Sequence, residues 1–295
     1  IILYVTNIKE DDFKNRLKLN KIYEDSQNDL SMEYLKGEKK IFENNTKKNI
    51  LIIGNSHGVQ SLQGFLLNKD QYNDLIFKNF HIQISCLGEF ILVSKSDSCK
   101  GFLDFNEKEN FLIGIENFKK AKTIILSTRW TIDDLKNLPS VIKFLEKQKK
   151  NIIIFNSIVD IQNEGDLIYK KSSNLNLLQK IYINDKFLFE KFLFTFNRFP
   201  STKELTLMES EYFKNLSQKR VTINNKLKNL ALENNITFFD LNSFICDNEL
   251  KTCKVITNTK KHIMYDNTGH LTMNGAKYIF NNINNDFMSL LKNIK

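Results

Sequence analysis

Three short runs of apolar residues, each followed by a helical pattern, constrain the fold of this chain most strongly. The runs lie at residues 50–53, 123–128 and 151–155. Continuous apolar strands of this length are typical of a parallel sheet that is covered on both faces. Because helical segments alternate with them, the sequence predicts an α/β fold, with a mostly parallel sheet between two layers of helices.

The remaining patterns fill in the predicted order of elements. Two further strands are expected at residues 81–85 and 236–241. Apolar residues at helical spacing predict helices at residues 58–68, 107–120, 133–150, 186–196 and 204–234. Thr272 is expected to cap a last helix, whose inner face would carry Ala276, Ile279, Phe280, Ile283, Phe287 and Leu290.

Composition is that of a globular protein with one large or two ordinary domains. The chain has 295 residues, of which 41% are hydrophobic and 26% are charged. Residues 1–48 are charged and weakly patterned, and we interpret them as an N-terminal extension or linker ahead of a domain at residues 49–295. Because the first residue is Ile1 rather than Met, we expect a fragment or a processed product.

The net charge of +9 does not by itself indicate nucleic-acid binding. The lysines are scattered among Glu, Asp and many Asn, and no basic stripe or nucleic-acid motif is present. We therefore expect no nucleic-acid partner and interpret most of the charge as solvated surface. Attraction to anionic lipid head groups or to an anionic glycan is the alternative.

The four cysteines form two locally spaced pairs, Cys86 with Cys99 and Cys246 with Cys253. Their spacing resembles no zinc motif, and we expect no metal site. Local pairs separated by polar loops suit disulfides, which would place the protein in an oxidising compartment. Four reduced core cysteines in a cytosolic protein are the alternative.

The first predicted strand runs directly into a candidate nucleophile. Gly54 ends the strand, Asn55 and Ser56 follow in the turn, and a helix begins near Gly58. A strand, a tight turn and a helix start place the Ser56 hydroxyl at the carboxyl edge of the sheet. We expect backbone N–H groups at the helix start to stabilise a developing oxyanion there. A simple helix-capping role for Ser56 is the alternative.

A second polar block lies near the other end of the chain, between the last strand and the last helix. His270 and Asp266 are close in sequence there, in a loop that can face the end of the first strand. In this hypothesis His270 takes the proton of Ser56 and returns it to a leaving group, and Asp266 orients the imidazole. A structural or surface role for His270 is the alternative, and we expect that role for His81 and His262.

These two blocks resemble those of SGNH hydrolases. Ile-Ile-Gly-Asn-Ser-His at residues 52–57 is similar to their first block, and residues 266–275 are similar to their last. More narrowly, the chain resembles the SGNH domain fused to the C-terminus of acyltransferase-3 membrane proteins. His57 after the serine, Arg-Trp at the end of residues 125–130, and Cys246 and Cys253 ahead of the last block support that narrower match.

The resemblance implies a three-layer α/β/α domain with a flavodoxin-like sheet, the SGNH hydrolase fold. It implies a membrane-tethered position on the periplasmic or extracellular face of a bacterial membrane. It also implies O-acyl transfer, usually of acetyl, to a cell-surface polysaccharide through an acyl-serine. The integral-membrane domain of the same chain would deliver the acyl group, so no cofactor is expected in this domain.

The chain departs from the family pattern at several positions. Asn55 stands where the family usually has Asp, and Asp266 precedes His270 by four positions rather than three, with Asn267 at the usual position. The candidates for oxyanion or substrate contacts are Asn55, Gly88, Arg129 and Trp130. Trp130 could equally be a packing residue, and Arg129 a salt-bridge partner.

Two rival functions remain open from the sequence. One is a free-standing extracytoplasmic carbohydrate esterase without a membrane partner, which differs from the transferase only in that water attacks the acyl-enzyme. The other is a glycan-binding module that kept the fold and lost catalysis.

Overall fold

A computed structural model describes residues 40–43, 47–87, 108–160, 199–261, 263 and 269–293. These residues group into two compact units, each described by itself below. The sheet unit comprises the described residues of Leu30–Ile158, Lys219–Phe244 and Ala276–Lys295. The hairpin unit comprises those of Val159–Gln218 and Ile245–Gly275.

The sheet unit contains a five-stranded, fully parallel sheet in the order β2-β1-β3-β4-β5. The strands are β1 (Lys48–Gly54), β2 (Leu75–His81), β3 (Thr123–Ser127), β4 (Asn151–Phe155) and β5 (Thr237–Phe239). This order is that of flavodoxin-like sheets, and it confirms the predicted fold class. In such sheets the reactive groups gather beyond the carboxyl ends of the strands.

Seven helices accompany the strands in the described part of the chain. They are α1 (Ser56–Leu67), α2 (Lys108–Lys120), α3 (Ile132–Lys147), α4 (Thr202–Lys214), α5 (Gln218–Glu233), α6 (Met273–Asn282) and α7 (Asn284–Asn293). In the sheet unit, helices α2, α3 and α5 pack on one face of the sheet. Helices α1, α6 and α7 cover the other, which makes three layers.

Alternation along the strands explains why both faces can be covered. Successive side chains of a strand point to opposite faces, so Leu51 and Ile53 join the core beneath α2 and α3. The opposite face of the sheet packs against an aromatic cluster centred on Phe65 of α1. The Phe65 ring stacks on Phe77 of β2, with ring centroids 4.0 Å apart, and lies 4.7 Å from the ring of Phe280.

The second strand differs from its prediction. It covers Leu75–His81 rather than residues 81–85, and Ile84–Cys86 is a 3-10 turn. The strand is fixed by its pairing with β1, which aligns Lys48 with Leu75 and Gly54 with His81. Lys78 and Asn79 lie in the middle of the strand and interrupt its apolar run, which hides it from a pattern search.

The helix predicted at residues 204–234 is two helices, α4 and α5. Helix α4 ends with Asn215 as its C-cap, and the N–H of Ser217 just beyond it donates to the carbonyl of Asp160 at 2.8 Å. A partner more than fifty residues away ends this helix, so local spacing could not predict the break. The last predicted helix also divides, into α6 and α7, at Ile283. The helix predicted at residues 186–196 lies outside the described residues.

The hairpin unit is built around two short antiparallel strands, β6 (Cys246–Asp247) and β7 (Thr252–Cys253). Helix α4 packs against β7. A disulfide joins Cys246 to Cys253, as predicted. Cys86 of the sheet unit is also disulfide-bonded, and its predicted partner Cys99 lies outside the described residues.

Residues 40–43 pack against helix α2. The Phe42 side chain is 1% exposed and belongs to the core beneath the sheet. Its N–H donates to Oδ1 of Asn117 at 2.7 Å, and Nδ2 of Asn117 donates to the carbonyl of Lys40 at 3.1 Å. The sheet unit therefore includes these residues, and the predicted boundary at residue 48 stays a prediction.

Two glycines let α1 approach the end of β3 closely. A Cβ added at Gly54 would lie 1.8 Å from the carbonyl oxygen of Ser127, and one at Gly58 would lie 2.8 Å from the same atom. Both distances are well inside a normal contact. The junction of β1 and α1 therefore requires residues without a side chain.

We expect G54A to destabilise the protein more than G58A, because its clash is closer and only backbone can yield. Overpacking costs about 1–3 kcal/mol, and G54A should lie at or above the top of that range. In G58A, the better helix propensity of alanine recovers about 1 kcal/mol. Urea denaturation measures both losses. Equal losses, or a larger one in G58A, would contradict this packing.

Candidate active site

Ser56 lies where the sequence predicted it, at the carboxyl edge of the sheet. It is the first residue of α1, directly after β1, which is flanked by β2 and β3. The Ser56 side chain is exposed. A hydroxyl at a strand-to-helix turn, open to solvent, can be reached by an ester.

Asn55 fixes the turn that carries Ser56. Its Oδ1 accepts the N–H of His57 at 3.1 Å and the N–H of Arg129, just beyond β3, also at 3.1 Å. One carboxamide oxygen thus caps α1 and ties the turn to the next strand. The carboxylate that is usual in SGNH hydrolases could accept the same two hydrogen bonds.

A buried hydroxyl pair supports the first turn of α1 from below. The Oγ atoms of Ser61 and Ser127 lie 2.8 Å apart, and Ser61 Oγ donates to the carbonyl of His57 at 3.1 Å. All three residues are buried. The backbone around Ser56 is therefore held by hydrogen bonds as well as by the close glycine contacts.

Trp130 is buried at the end of β3. Its side chain is 0% exposed, and its Nε1 donates to the carbonyl of Phe155 at 2.7 Å. Its N–H donates to Oγ of Ser157 at 3.0 Å, and Arg220 donates to its carbonyl. These contacts favour the packing alternative for Trp130, whereas Arg129 beside it is half-buried at the edge.

Polar residues after β4 and β5 were missed by the sequence analysis. Nδ2 of Asn156 donates to Oδ1 of Asp240 at 2.5 Å, and Oδ1 of Asn156 accepts the N–H of Leu241 at 2.8 Å. Nδ2 of Asn242 donates to the carbonyl of Ser157 at 2.8 Å. The available signal was their position, because each follows an apolar strand directly and therefore lies at the same edge as Ser56.

The start of α3 fixes the chain after Trp130. Oγ1 of Thr131 accepts the N–H of Asp134 at 3.1 Å, and the Asp134 carboxylate accepts the N–H of Thr131 at 2.9 Å, which is a capping box. Burial raises the pKa of Asp134 above its ordinary value, although the hydrogen bonds from Thr131 act against that shift.

The residues around His270 are anchored within the hairpin unit. The N–H of Thr272 donates to the carbonyl of Ile263 at 2.9 Å, and Oγ1 of Thr272 accepts the N–H of Gly275 at 2.9 Å, which confirms the predicted cap. Gly269 has a φ of 82°, a conformation that favours glycine. His270 itself is half-buried.

The predicted site residues fall into three groups. Asn55, Ser56 and Arg129 come together at the carboxyl ends of β1 and β3 in the sheet unit, with Trp130 buried behind them. His270 belongs to the hairpin unit. Asp266, Gly88 and His262 lie outside the described part of the chain. The triad of Ser56, His270 and Asp266 stays a prediction.

The described residues offer neither a metal cluster nor a membrane-spanning helix. No group of His, Cys, Asp and Glu among them is arranged to hold a metal ion. None of the described helices combines the length and the apolar character needed to cross a membrane.

The parallel β2-β1-β3-β4-β5 sheet, with a serine on the turn after β1, matches the fold of SGNH and GDSL hydrolases. A family model described as "SGNH domain (fused to AT3 domains)" matches residues 24–284, most of the chain. The chain belongs to this family. No curated protein matches the sequence significantly.

Three solved structures align with this chain, and the first of them supports the same fold. The periplasmic domain of a lipopolysaccharide acetyltransferase from Salmonella ser. Paratyphi A aligns with a TM-score of 0.52 and 17% identity, covering 97% of this chain and 98% of that one. A protein described as an acylhydrolase from Bacteroides fragilis aligns with a TM-score of 0.40 and 12% identity, over 90% and 99% of the two chains. A GDSL-like lipase from Bacteroides thetaiotaomicron aligns with a TM-score of 0.41 and 12% identity, covering 89% of this chain and 98% of that one.

If Trp130 is a packing residue, W130F should lower stability and leave substrate binding unchanged. The variant loses the hydrogen bond from Nε1 to Phe155, and it leaves a buried carbonyl without its donor, at a cost of about 1–3 kcal/mol. We expect a lower unfolding midpoint in urea and an unchanged KM for p-nitrophenyl acetate. A raised KM with unchanged stability would instead place Trp130 in contact with the substrate.

Proposed function

We propose that this domain transfers an O-acyl group, most simply acetyl, to a cell-surface polysaccharide through an acyl-serine on Ser56. The observation that carries the proposal is the exposed Ser56 at the start of α1, held at the sheet's carboxyl edge in a member of the SGNH family. Water can replace the sugar hydroxyl as acceptor, so esterase activity accompanies the transfer.

The proposed reaction has two steps. In the first, Ser56 Oγ attacks the acyl carbonyl carbon, His270 takes the serine proton, and the same proton then goes to the departing alcohol. In the second, a sugar hydroxyl gives its proton to His270 and attacks the acyl-serine, which releases Ser56 with its proton restored. Asp266 orients the imidazole and stabilises its charged form.

Family membership supports the choice of donor and acceptor. The family is described by its fusion to AT3 domains, which fits an acyl group delivered by a membrane domain of the same chain. The Salmonella structure is a periplasmic domain of a lipopolysaccharide acetyltransferase, which fits a polysaccharide acceptor. The disulfide between Cys246 and Cys253 fits an oxidising compartment on the periplasmic or extracellular face.

We expect S56A and H270A each to reduce the hydrolysis of p-nitrophenyl acetate by at least about 10³-fold, because the nucleophile and its base act as a unit. Release of p-nitrophenol by the purified 295-residue chain measures this loss. S140A is the matched control, since its side chain is exposed and lies in α3 outside the proposed site, and the variant should keep full activity.

Circular dichroism and urea denaturation check that the three variants are folded. Retained turnover in S56A or H270A would remove the catalytic assignment. Glycan binding by a protein that hydrolyses no ester would favour the non-catalytic module.

The orienting carboxylate can be identified by a second pair of variants. If Asp266 orients His270, D266N should lower kcat by about 10²–10⁴-fold, because the imidazole loses the charge that fixes its tautomer. N267A should leave kcat nearly unchanged, as it removes only the neutral amide at the family's usual position. The opposite ranking, with N267A slow and D266N active, would overturn this assignment.

A further inference from the structure

The start of α1 offers fewer hydrogen-bond donors than its position at the sheet edge suggests. The carbonyl of Asn55 accepts the N–H of Gly58 at 2.8 Å and the N–H of Val59 at 3.2 Å. Its Oδ1 accepts the N–H of His57. Three N–H groups of the first turn are therefore occupied by Asn55, and the N–H of Ser56 is not among them.

The same residue provides a donor of its own. An amide nitrogen cannot accept, so two N–H donors at one end of the carboxamide identify that end as the oxygen. Nδ2 therefore points away from the backbone N–H groups of His57 and Arg129. Asn55 is half-buried, and within the described part of the chain Nδ2 has no hydrogen-bond partner.

We propose that Nδ2 of Asn55 donates a hydrogen bond to the acyl carbonyl oxygen as Ser56 attacks. This inference rests on the proposed function of Ser56. As the bond from Ser56 Oγ to the carbonyl carbon forms, the C=O π electrons move onto the oxygen, and the hydrogen bond stabilises that negative charge. When the bond to the leaving alcohol breaks, the charge returns to the carbonyl, and the donor is ready for the second step.

The proposal gives a chemical meaning to the departure from the family pattern. The ionised Asp that is usual at this position accepts hydrogen bonds but cannot donate one. Its negative charge would also oppose a developing oxyanion. Asn55 keeps the two structural hydrogen bonds of that carboxylate and adds a neutral donor next to the nucleophile. We therefore assign it a catalytic role in addition to its role in the turn.

Two variants separate the structural role of Asn55 from the catalytic one. N55D keeps an oxygen acceptor for His57 and Arg129 and loses the donor, whereas N55A loses both. Removing one oxyanion donor typically costs about 10²–10³-fold in kcat. We expect kcat for p-nitrophenyl acetate to fall by about that factor in both variants, with KM changed far less. N55D should unfold at nearly the same urea concentration as the wild type.

A carboxylate introduced by N55D would accept the N–H groups of His57 and Arg129, which lowers its pKa below the ordinary value. It therefore stays ionised and cannot donate between pH 8 and pH 5. We expect the ratio of wild-type to N55D kcat to stay constant over that range, as for N55A. Taking ratios removes the titration of the shared catalytic base.

Two results would overturn the inference. They are wild-type kcat in N55D at pH 8 and wild-type kcat in a folded N55A. If N55A does not fold, N55D alone decides. If the wild type has no turnover, or if S56A keeps that turnover, the proposed function fails and this inference fails with it. Turnover that depends on Ser56 and is unaffected in N55D would overturn the role of Asn55 alone.

Discussion

The joint between β1, α1 and the end of β3 is the contact on which the candidate site depends. The carbonyl of Ser127 lies so close to Gly54 and Gly58 that neither could carry a side chain without a shift. Oδ1 of Asn55 bridges the same two segments by accepting the N–H groups of His57 and Arg129. Close packing fixes where the helix starts, and the carboxamide fixes how the turn is oriented. Together they present Ser56 to solvent on a rigid part of the fold, as a nucleophile requires.

The sheet could be predicted from the sequence because its strands are buried on both faces. Three strands are visible as apolar runs at residues 50–53, 123–128 and 151–155. Strand β1 and the turn after it were predicted to within about two residues. The second strand was misplaced, because Lys78 and Asn79 interrupt it and only its pairing with β1 defines it. The break between α4 and α5 was missed because its partner, Asp160, lies far away in the sequence.

The candidate site was predictable to the extent that its residues follow strands or resemble a family motif. Ser56 satisfies both conditions. Trp130 shows that following a strand is not enough to identify a functional residue. It follows a strand, yet a hydrogen bond to Phe155 and complete burial give it a structural role that no local pattern reveals. The number of free donors at the helix start could not be predicted. It depends on which N–H groups the two oxygens of Asn55 accept, which is a property of three-dimensional geometry rather than of residue type.

The central claim is that Ser56 is activated by His270, although more than two hundred positions separate them in the chain. Covalent labelling of the 295-residue protein by a fluorophosphonate, followed by peptide mapping with mass spectrometry, tests both parts of the claim at once. We expect one adduct, on Ser56, that forms at least about 10²-fold more slowly in H270A, because the histidine supplies the base that activates the hydroxyl. An adduct on another residue, or equal labelling rates in wild type and H270A, would contradict it.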